Sequence, residues 1–391
     1  MSMTGVPVSE RLHIGFFGNR NAGKSSLINA ITGQSISIVS DVAGTTTDPV
    51  KKTMELLPLG PVVIIDTPGI DDTGELGMQR VSKTREVLDI CNIAVVVIDA
   101  FRGKTNIDLQ LIEEIKNKNI PYIVCYNKCD AVNPAFEDEE ICVSAKTGYN
   151  IDLFKNRLSL LISDKKEKYI IKDKLSKGDV VVLVMPIDSS APKGRIILPQ
   201  QQTLREVLDA GGICICVQPD ELSAVINKYD KGIKVVITDS QVFGIVSKIV
   251  PTYIHLTSFS ILMMNYKGEL ETGAENVAVI NRLKDGDRVL IAEGCTHHRQ
   301  CNDIGTVKLP ALIKKTSGAD VIFDFTSGGD FPKDLSAYSL IVQCGGCMLT
   351  EKEIKNRLAK AKSESVPVTN YGIALAHMNG ILDRSLEFLR K

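Results

Sequence analysis

The sequence predicts an α/β fold: a first domain built on a mainly parallel sheet, followed by two smaller α/β domains. Three observations predict it. Apolar strand-like runs alternate with stretches of helical period along the chain, and a glycine-rich spacing stands between the first such strand and the first such helix. The 391 residues also exceed the roughly 100–200 that one core ordinarily holds.

Up to about residue 165, LHIGFFG, PVVIIDT, IAVVVIDA and PYIVCYN read as strands, and SSLINAITG and NIDLQLIEEIKNKN as helices. Such alternation favours right-handed βαβ units and a sheet covered on both faces. The charge-rich, weakly periodic SDKKEKYIIKDKLSKGD reads as a solvated helix end and linker, which sets the first domain at residues 1–165. VVVLVMPI, TLREVLDAGG, ICICVQ, DELSAVINKY, IKVVIT and SQVFGIVSKIV form a second series, at 175–268. A third, with DRVLIAEGC, VKLPALIKK, ADVIFDFT, SLIVQCGGC and EKEIKNRLAKAKSE, occupies 269–391, and nothing of linker composition separates it from the second.

A hydrophobic fraction of 44% and a charged fraction of 24% are those of a soluble globular chain. No window approaches the ~18 uncharged apolar residues of a membrane span. The start, MSMTGVPVSERLHIGFFG, lacks the basic and long apolar regions of an export signal, so a cytoplasmic protein with reduced thiols is expected. With 46 basic and 47 acidic residues, electrostatics supply no reason to expect nucleic acid. Of the ten cysteines, Cys91, Cys125, Cys142, Cys214 and Cys216 lie in or beside apolar runs and read as small buried hydrophobes. Cys295, Cys301, Cys344 and Cys347 do not.

Residues Gly18, Asn19, Arg20, Asn21, Ala22, Gly23, Lys24 and Ser25 fit G-x-x-x-x-G-K-S/T between a strand and a helix, the context that this motif requires. Backbone amides of such a loop face phosphate, aided by the helix start that carries Ser26. Lys24 neutralises the β and γ oxygens, and the Ser25 hydroxyl ligates Mg²⁺. Asp66, Thr67, Pro68 and Gly69 close the strand PVVIID, where Asp66 suits the magnesium shell and the Gly69 amide the γ-phosphate. Asn127, Lys128 and Asp130 close PYIVCY. The Asp130 carboxylate is suited to accept from N1–H and the 2-amino group of guanine, a donor pair that adenine lacks. Ser144, Ala145 and Lys146 follow, where a backbone N–H would meet the guanine carbonyl. In the polar stretch GTTTD, a threonine would reach Mg²⁺ only when γ-phosphate is present.

These segments, GNRNAGKSSLINAI, AGTTTD, DTPGI, NKCD and SAKTG, resemble the TrmE-Era-EngA branch of GTPases, over about the first 165 residues. The resemblance implies a P-loop GTPase domain that turns GTP into GDP and phosphate. It implies Thr46 as a magnesium ligand and, with Lys24, Asp66 and Gly69, part of the catalytic set. It also implies Asn21 as the asparagine that helps hold K⁺. Ile70 stands where Ras-like enzymes carry a water-orienting glutamine, so slow turnover, activated by a cation or partner, is expected.

Cys295 and His297 follow the strand DRVLIAEG, and Cys344 and Cys347 follow SLIVQ. Ligands of open α/β sheets gather beyond strand C-termini, so the two segments converge if those strands are neighbours. The residue types suit zinc or iron–sulfur, and a C-x-x-C incidental to a strand end is the bland alternative.

A GTPase domain of this branch followed by C-x-H and a later C-x-x-C resembles the HydF family, the scaffold GTPases of [FeFe]-hydrogenase maturation, over the whole chain. The resemblance implies a [4Fe-4S] cluster on Cys295, Cys344 and Cys347 in the third domain, with His297 as a ligand or an outer partner and Cys301 as an alternative ligand. Gln343 replaces the family's histidine before Cys344. It further implies a diiron precursor received from the radical-SAM maturases HydE and HydG and delivered to apo-[FeFe]-hydrogenase. A homodimer through the second domain would cover ICICVQ and IKVVIT, although buried parallel strands carry the same pattern. A second reading is an RNA- or ribosome-associated GTPase with structural zinc, against which the near-neutral charge speaks. A third is an interaction protein whose metal site is structural.

Overall fold

The computed structural model describes residues 6–33, 49–70, 75–132, 140–162, 168–187, 196–294 and 304–390. The chain divides into two compact units, Met1–Lys166 and Glu167–Lys391.

The first unit contains β1 (Leu12–Phe17), α1 (Lys24–Thr32), β2 (Val50–Leu56), β3 (Gly60–Asp66), α2 (Glu75–Ile90), β4 (Ile93–Asp99), α3 (Asn106–Asn117), β5 (Tyr122–Asn127), β6 (Ile141–Cys142) and α4 (Ile151–Leu160). The sheet order is β2-β3-β1-β4-β5-β6. β2 is antiparallel to β3, and the other pairs are parallel. The period-2 pattern of the strands supplies a core on each face. Ile14, Phe16, Val62, Ile64, Val95 and Val97 face one core, and Phe17, Val63, Ile65, Ala94, Val96 and Ile98 the other. Full burial of each such aliphatic side chain stabilises by about 1.5–3 kcal/mol.

The second unit contains β7 (Val180–Val184), α5 (Leu198–Asp209), β8 (Ile213–Val217), α6 (Leu222–Tyr229), β9 (Ile233–Thr238), α7 (Phe243–Ile249), β10 (His255–Ser258), α8 (Phe259–Lys267) and α9 (Leu270–Asn276). It continues with β11 (Arg288–Ala292), α10 (Leu309–Ser317), β12 (Ile322–Thr326), β13 (Leu340–Gln343), α11 (Glu351–Ser363), β14 (Val368–Asn370), α12 (Tyr371–Met378) and α13 (Leu382–Arg390). These build two small parallel sheets, β10-β9-β7-β8 and β12-β11-β13-β14. One continuous core, from Val181 and Val236 through Ile261 and Leu262 to Val289, Leu340 and Ile373, serves both. That shared core explains why nothing resembling a linker separates the second series from the third.

Burial divides the cysteines differently from the expectation. Cys91, Cys125 and Cys142 are buried, but Cys214 is half-buried and Cys216 exposed. The cause is topology: β8 is the last strand of its sheet, so ICICV has a neighbour on one side only among the described strands. Among the described residues no helix is long and apolar enough to cross a membrane.

Candidate functional site

Residues 18–23 turn the chain from β1 into α1. Gly18 and Gly23 take φ values of 142° and 90°, and Asn21 takes 60°. A Cβ on Gly18 would run into the Val97 carbonyl oxygen, so glycine is needed there for close packing on β4 as well as for φ. Gly23 caps α1 with no side-chain acceptor, which leaves first-turn amides for an anion. Lys24, only 8% exposed, donates from Nζ to the carbonyls of Gly18 and Asn19, each at 2.9 Å. Its charge is thereby held inside the loop that would wrap phosphate.

At the end of β3, Asp66 is buried and its Oδ2 accepts from Ser25 Oγ at 2.6 Å. The hydroxyl and carboxylate assigned to magnesium from the sequence therefore sit together, an oxygen donor set suited to a hard cation. Thr67 is anchored by donation from Oγ1 to Phe16 O at 2.6 Å, and the Ile70 amide donates to Gly18 O at 3.4 Å. Pro68 and Gly69 stand between these two ties. Thr46 lies outside the described residues.

At the base-binding end, Asn127 is 2% exposed and joins three segments. Its Nδ2 donates to Ala22 O at 3.2 Å, and its Oδ1 accepts from the Ala145 amide at 3.0 Å. Lys128, at φ 72°, donates to Asn21 O at 2.8 Å and pairs with Asp99 Oδ2 at 2.6 Å. Asp130 is exposed, and its Oδ1 accepts from Ser144 Oγ at 2.7 Å. That hydrogen bond holds the carboxyl below its ordinary value, so it stays ionised through neutral pH. Lys146 is exposed beside it. The carboxylate is free to face solvent or a base, the arrangement that reading a pair of donors requires.

Some supporting residues escaped sequence reasoning. Asn19 Nδ2 donates to Thr105 Oγ1 at 3.0 Å and to Asp108 Oδ2 at 3.1 Å, tying the loop to the capping box of α3. The T-x-x-D spacing ahead of an apolar helix was the available signal for the cap, though not for its contact with Asn19. Asp99 carried no local signal.

The second candidate site lies in the second unit. β11 and β13 are paired neighbours, with Ala292 opposite Gln343. The Cys344 amide donates to Ala292 O at 2.9 Å, the Gly294 amide points at Cys344 Sγ at 3.0 Å, and the Gly346 amide does so at 3.4 Å. A Cβ on Gly294 would lie 2.8 Å from Leu349 Cγ, so a glycine permits this approach. Burial first, then the nearby Cys344, pushes the Cys347 thiol up to about 12, and Lys267 opposes the rise. Lys267 is 2% exposed and donates to Leu349 O at 3.2 Å. A small cavity opens here between Lys267, Glu269, Gln343, Cys344 and Asn370. Gln343 is buried, and its Oε1 has no hydrogen-bond partner among the described residues.

Two thiols with amides directed at one sulfur fit a thiolate-held metal or cluster, since coordination deprotonates such thiols outright. Cys295, His297 and Cys301 lie outside the described residues, and among the described residues no group of three or more metal-binding side chains is gathered.

Family models match three stretches of the chain. Residues 13–128 match the one described as a 50S ribosome-binding GTPase. Residues 170–268 match the hydrogen maturase F dimerization domain and residues 271–388 the hydrogen maturase F tetramerization domain, together more than half of the chain. The tRNA modification GTPase MnmE of Janthinobacterium sp. (strain Marseille) is 34% identical over 168 residues, 40% of this chain and 36% of that protein. The GTPase Der of Mycoplasmopsis agalactiae is 41% identical over 133 residues, 32% of this chain and 30% of that one. The chain thus spans about a third of the length of these curated relatives. A crystal structure of Aquifex aeolicus Era bound to GDP and aluminium fluoride is similar at 21% identity and a TM-score of 0.36, over 53% of this chain and 92% of that one. The first domain is a P-loop GTPase domain with the parts for GTP, GDP and Mg²⁺, and two smaller α/β domains follow it.

Proposed function

We propose that this chain, which belongs to the hydrogen maturase F family, is a GTP-hydrolysing scaffold that holds a [4Fe-4S] cluster and passes a diiron precursor to apo-[FeFe]-hydrogenase. The observation that carries the reading is the junction of β11 and β13, where the residue preceding Cys295 brings its amide 3.0 Å from Cys344 Sγ. Cys295, Cys344 and Cys347 would hold the cluster, which supplies a redox-active iron site with an exchangeable position. Gln343 stands where the family has a histidine, and His297 or Cys301 completes or flanks the set. The amides of Gly294 and Gly346 moderate the charge on the Cys344 sulfur, and the buried Lys267 ammonium adds positive charge beside Cys347.

In the first domain, Lys24 and the start of α1 balance phosphate charge, with Ser25, Asp66 and Thr46 around Mg²⁺. Ile70 offers no group to orient water, so turnover is slow until a cation such as K⁺ at the exposed Asn21, or a partner, completes the site. Loss of the γ-phosphate releases the Thr46 loop and the segment after Gly69, and this gates partner association. The partners are HydE and HydG as donors and the apo-hydrogenase as acceptor.

A homodimer belongs to the same reading. Its support is the matched dimerization domain over 170–268 and the outer side of β8, which pairs with no described strand and where Ile213 is 52% exposed. A second copy adding its own β8 would satisfy that edge.

The test is anaerobic reconstitution with iron and sulfide, comparing EPR spectrum and iron content with those of Cys344→Ala. A reducible [4Fe-4S] signal that the variant loses is the expected result; tight zinc in place of any cluster would overturn the scaffold reading. In the same protein, Lys267→Met should keep its iron but move the midpoint potential to a more negative value, because a buried positive charge favours the added electron. Potentiometric titration reads the shift, and an unchanged potential would remove Lys267 from the site.

A further inference from the structure

The edge strand β8 carries a feature that the GTPase and cluster sites leave unused. In a parallel ladder, residues whose N–H and C=O face one neighbour alternate with residues facing the other side. The Ile213 amide donates to Asp179 O at 2.8 Å and the Val217 carbonyl accepts from Met185 N at 2.9 Å, so Ile213, Ile215 and Val217 face β7. Cys214 and Cys216 therefore turn their N–H and C=O groups outward, to the side on which no described strand pairs with β8. Their side chains share one face of the sheet, and the two sulfurs are 4.0 Å apart. Thiolates bound to one tetrahedral cation at about 2.3 Å sit about 3.8 Å from each other. The pair thus needs little movement to chelate.

We propose that Cys214 and Cys216 form a thiolate site for a thiophilic divalent cation of the zinc type, completed by the same two residues of a second copy paired at β8. This rests on the homodimer reading above. An antiparallel, two-fold pairing centred on Ile215 sets each Cys214 opposite the Cys216 of the other copy. All four thiols then lie on one face, and the twist of the paired strands carries the two pairs out of a common plane, toward a tetrahedron. The register decides the ligand count: a shift that sets Cys216 opposite its own symmetry mate leaves each Cys214 opposite Gln218.

The experiment uses the full chain, reduced and freed of metal with a chelator, then titrated with Cd²⁺ while thiolate-to-metal charge-transfer absorbance is followed. A Cys214→Ser/Cys216→Ser variant, altered only on the edge strand, subtracts cadmium held by the other cysteines. Sedimentation of both metal-free proteins gives their oligomeric state independently. The expected result is a dimer in both cases, with the parent binding about half an equivalent of cadmium per chain more than the variant. Dimers with equal cadmium uptake would overturn the thiolate site and leave the dimer intact. An excess of about one equivalent per chain would overturn the bridging arrangement. Monomers in both cases would overturn the dimer reading, and this inference with it.

Discussion

Asp130→Asn is expected to weaken GTP binding by about 2–4 kcal/mol, roughly thirtyfold to a thousandfold, since a charged acceptor that serves two guanine donors is replaced by a neutral amide with one acceptor and one donor. The same change should raise affinity for xanthosine triphosphate, whose base carries a carbonyl where guanine has its 2-amino group and so matches the new amide donor. Asp130 is exposed and its carboxylate accepts from the Ser144 hydroxyl, so the substitution leaves the core intact. Competition against a fluorescent nucleotide measures both affinities. Unchanged GTP binding would mean that this carboxylate does not read the base. The carboxyl is held low by the Ser144 hydroxyl, so its ionised form is present at neutral pH and is lost only as pH falls through the depressed value. The contribution of Asp130 to GTP affinity should therefore stay constant through neutral and mildly acidic pH, with the carboxyl becoming protonated only below the usual carboxylate range.

The second large effect is expected at Gly18. Alanine there would have to hold φ near 142° with its Cβ in the Val97 carbonyl oxygen, a backbone atom of the central strand β4 that cannot swing aside. A destabilisation of about 2–4 kcal/mol should follow, with loss of nucleotide binding because the loop must leave its phosphate-wrapping conformation. Gly103 provides the control. It also has positive φ, 68°, but a Cβ there meets no atom within 4 Å, so Gly103→Ala should cost only about 1 kcal/mol and retain GTP. Thermal unfolding followed with and without nucleotide separates the two. Equal effects of both substitutions would mean that φ alone, and not the approach to Val97, governs Gly18.

The segments of the candidate nucleotide site were legible because their determinants are local. A glycine loop between a strand and a helix, D-T-P-G at a strand end, N-K-C-D and S-A-K are short segments whose chemistry follows from residue type and spacing, and the parallel sheet follows from the alternation of apolar runs. Contacts that join these segments were not legible. Asn19 on the Thr105–Asp108 cap, Asp99 on Lys128 and Asn127 bridging Ala22 to Ala145 link positions up to 105 residues apart, and no pattern along the chain records them.

The cysteines show the same division more sharply. Sequence alone singled out Cys295 with His297, and Cys344 with Cys347, by their motif spacing, and identified a condition for their meeting, that two strands be neighbours. Only the tertiary structure met it, by pairing Ala292 with Gln343 and bringing the Gly294 amide to the Cys344 sulfur. For Cys214 and Cys216 the sequence misled, because an apolar run reads alike in a central strand and in an edge strand. Which of the two it becomes depends on strand order, and strand order is set by how helices and sheets share one core across the whole unit. Local spacing determined what chemistry each segment of this protein carries; packing over long separations decided which segments meet and which thiols face water.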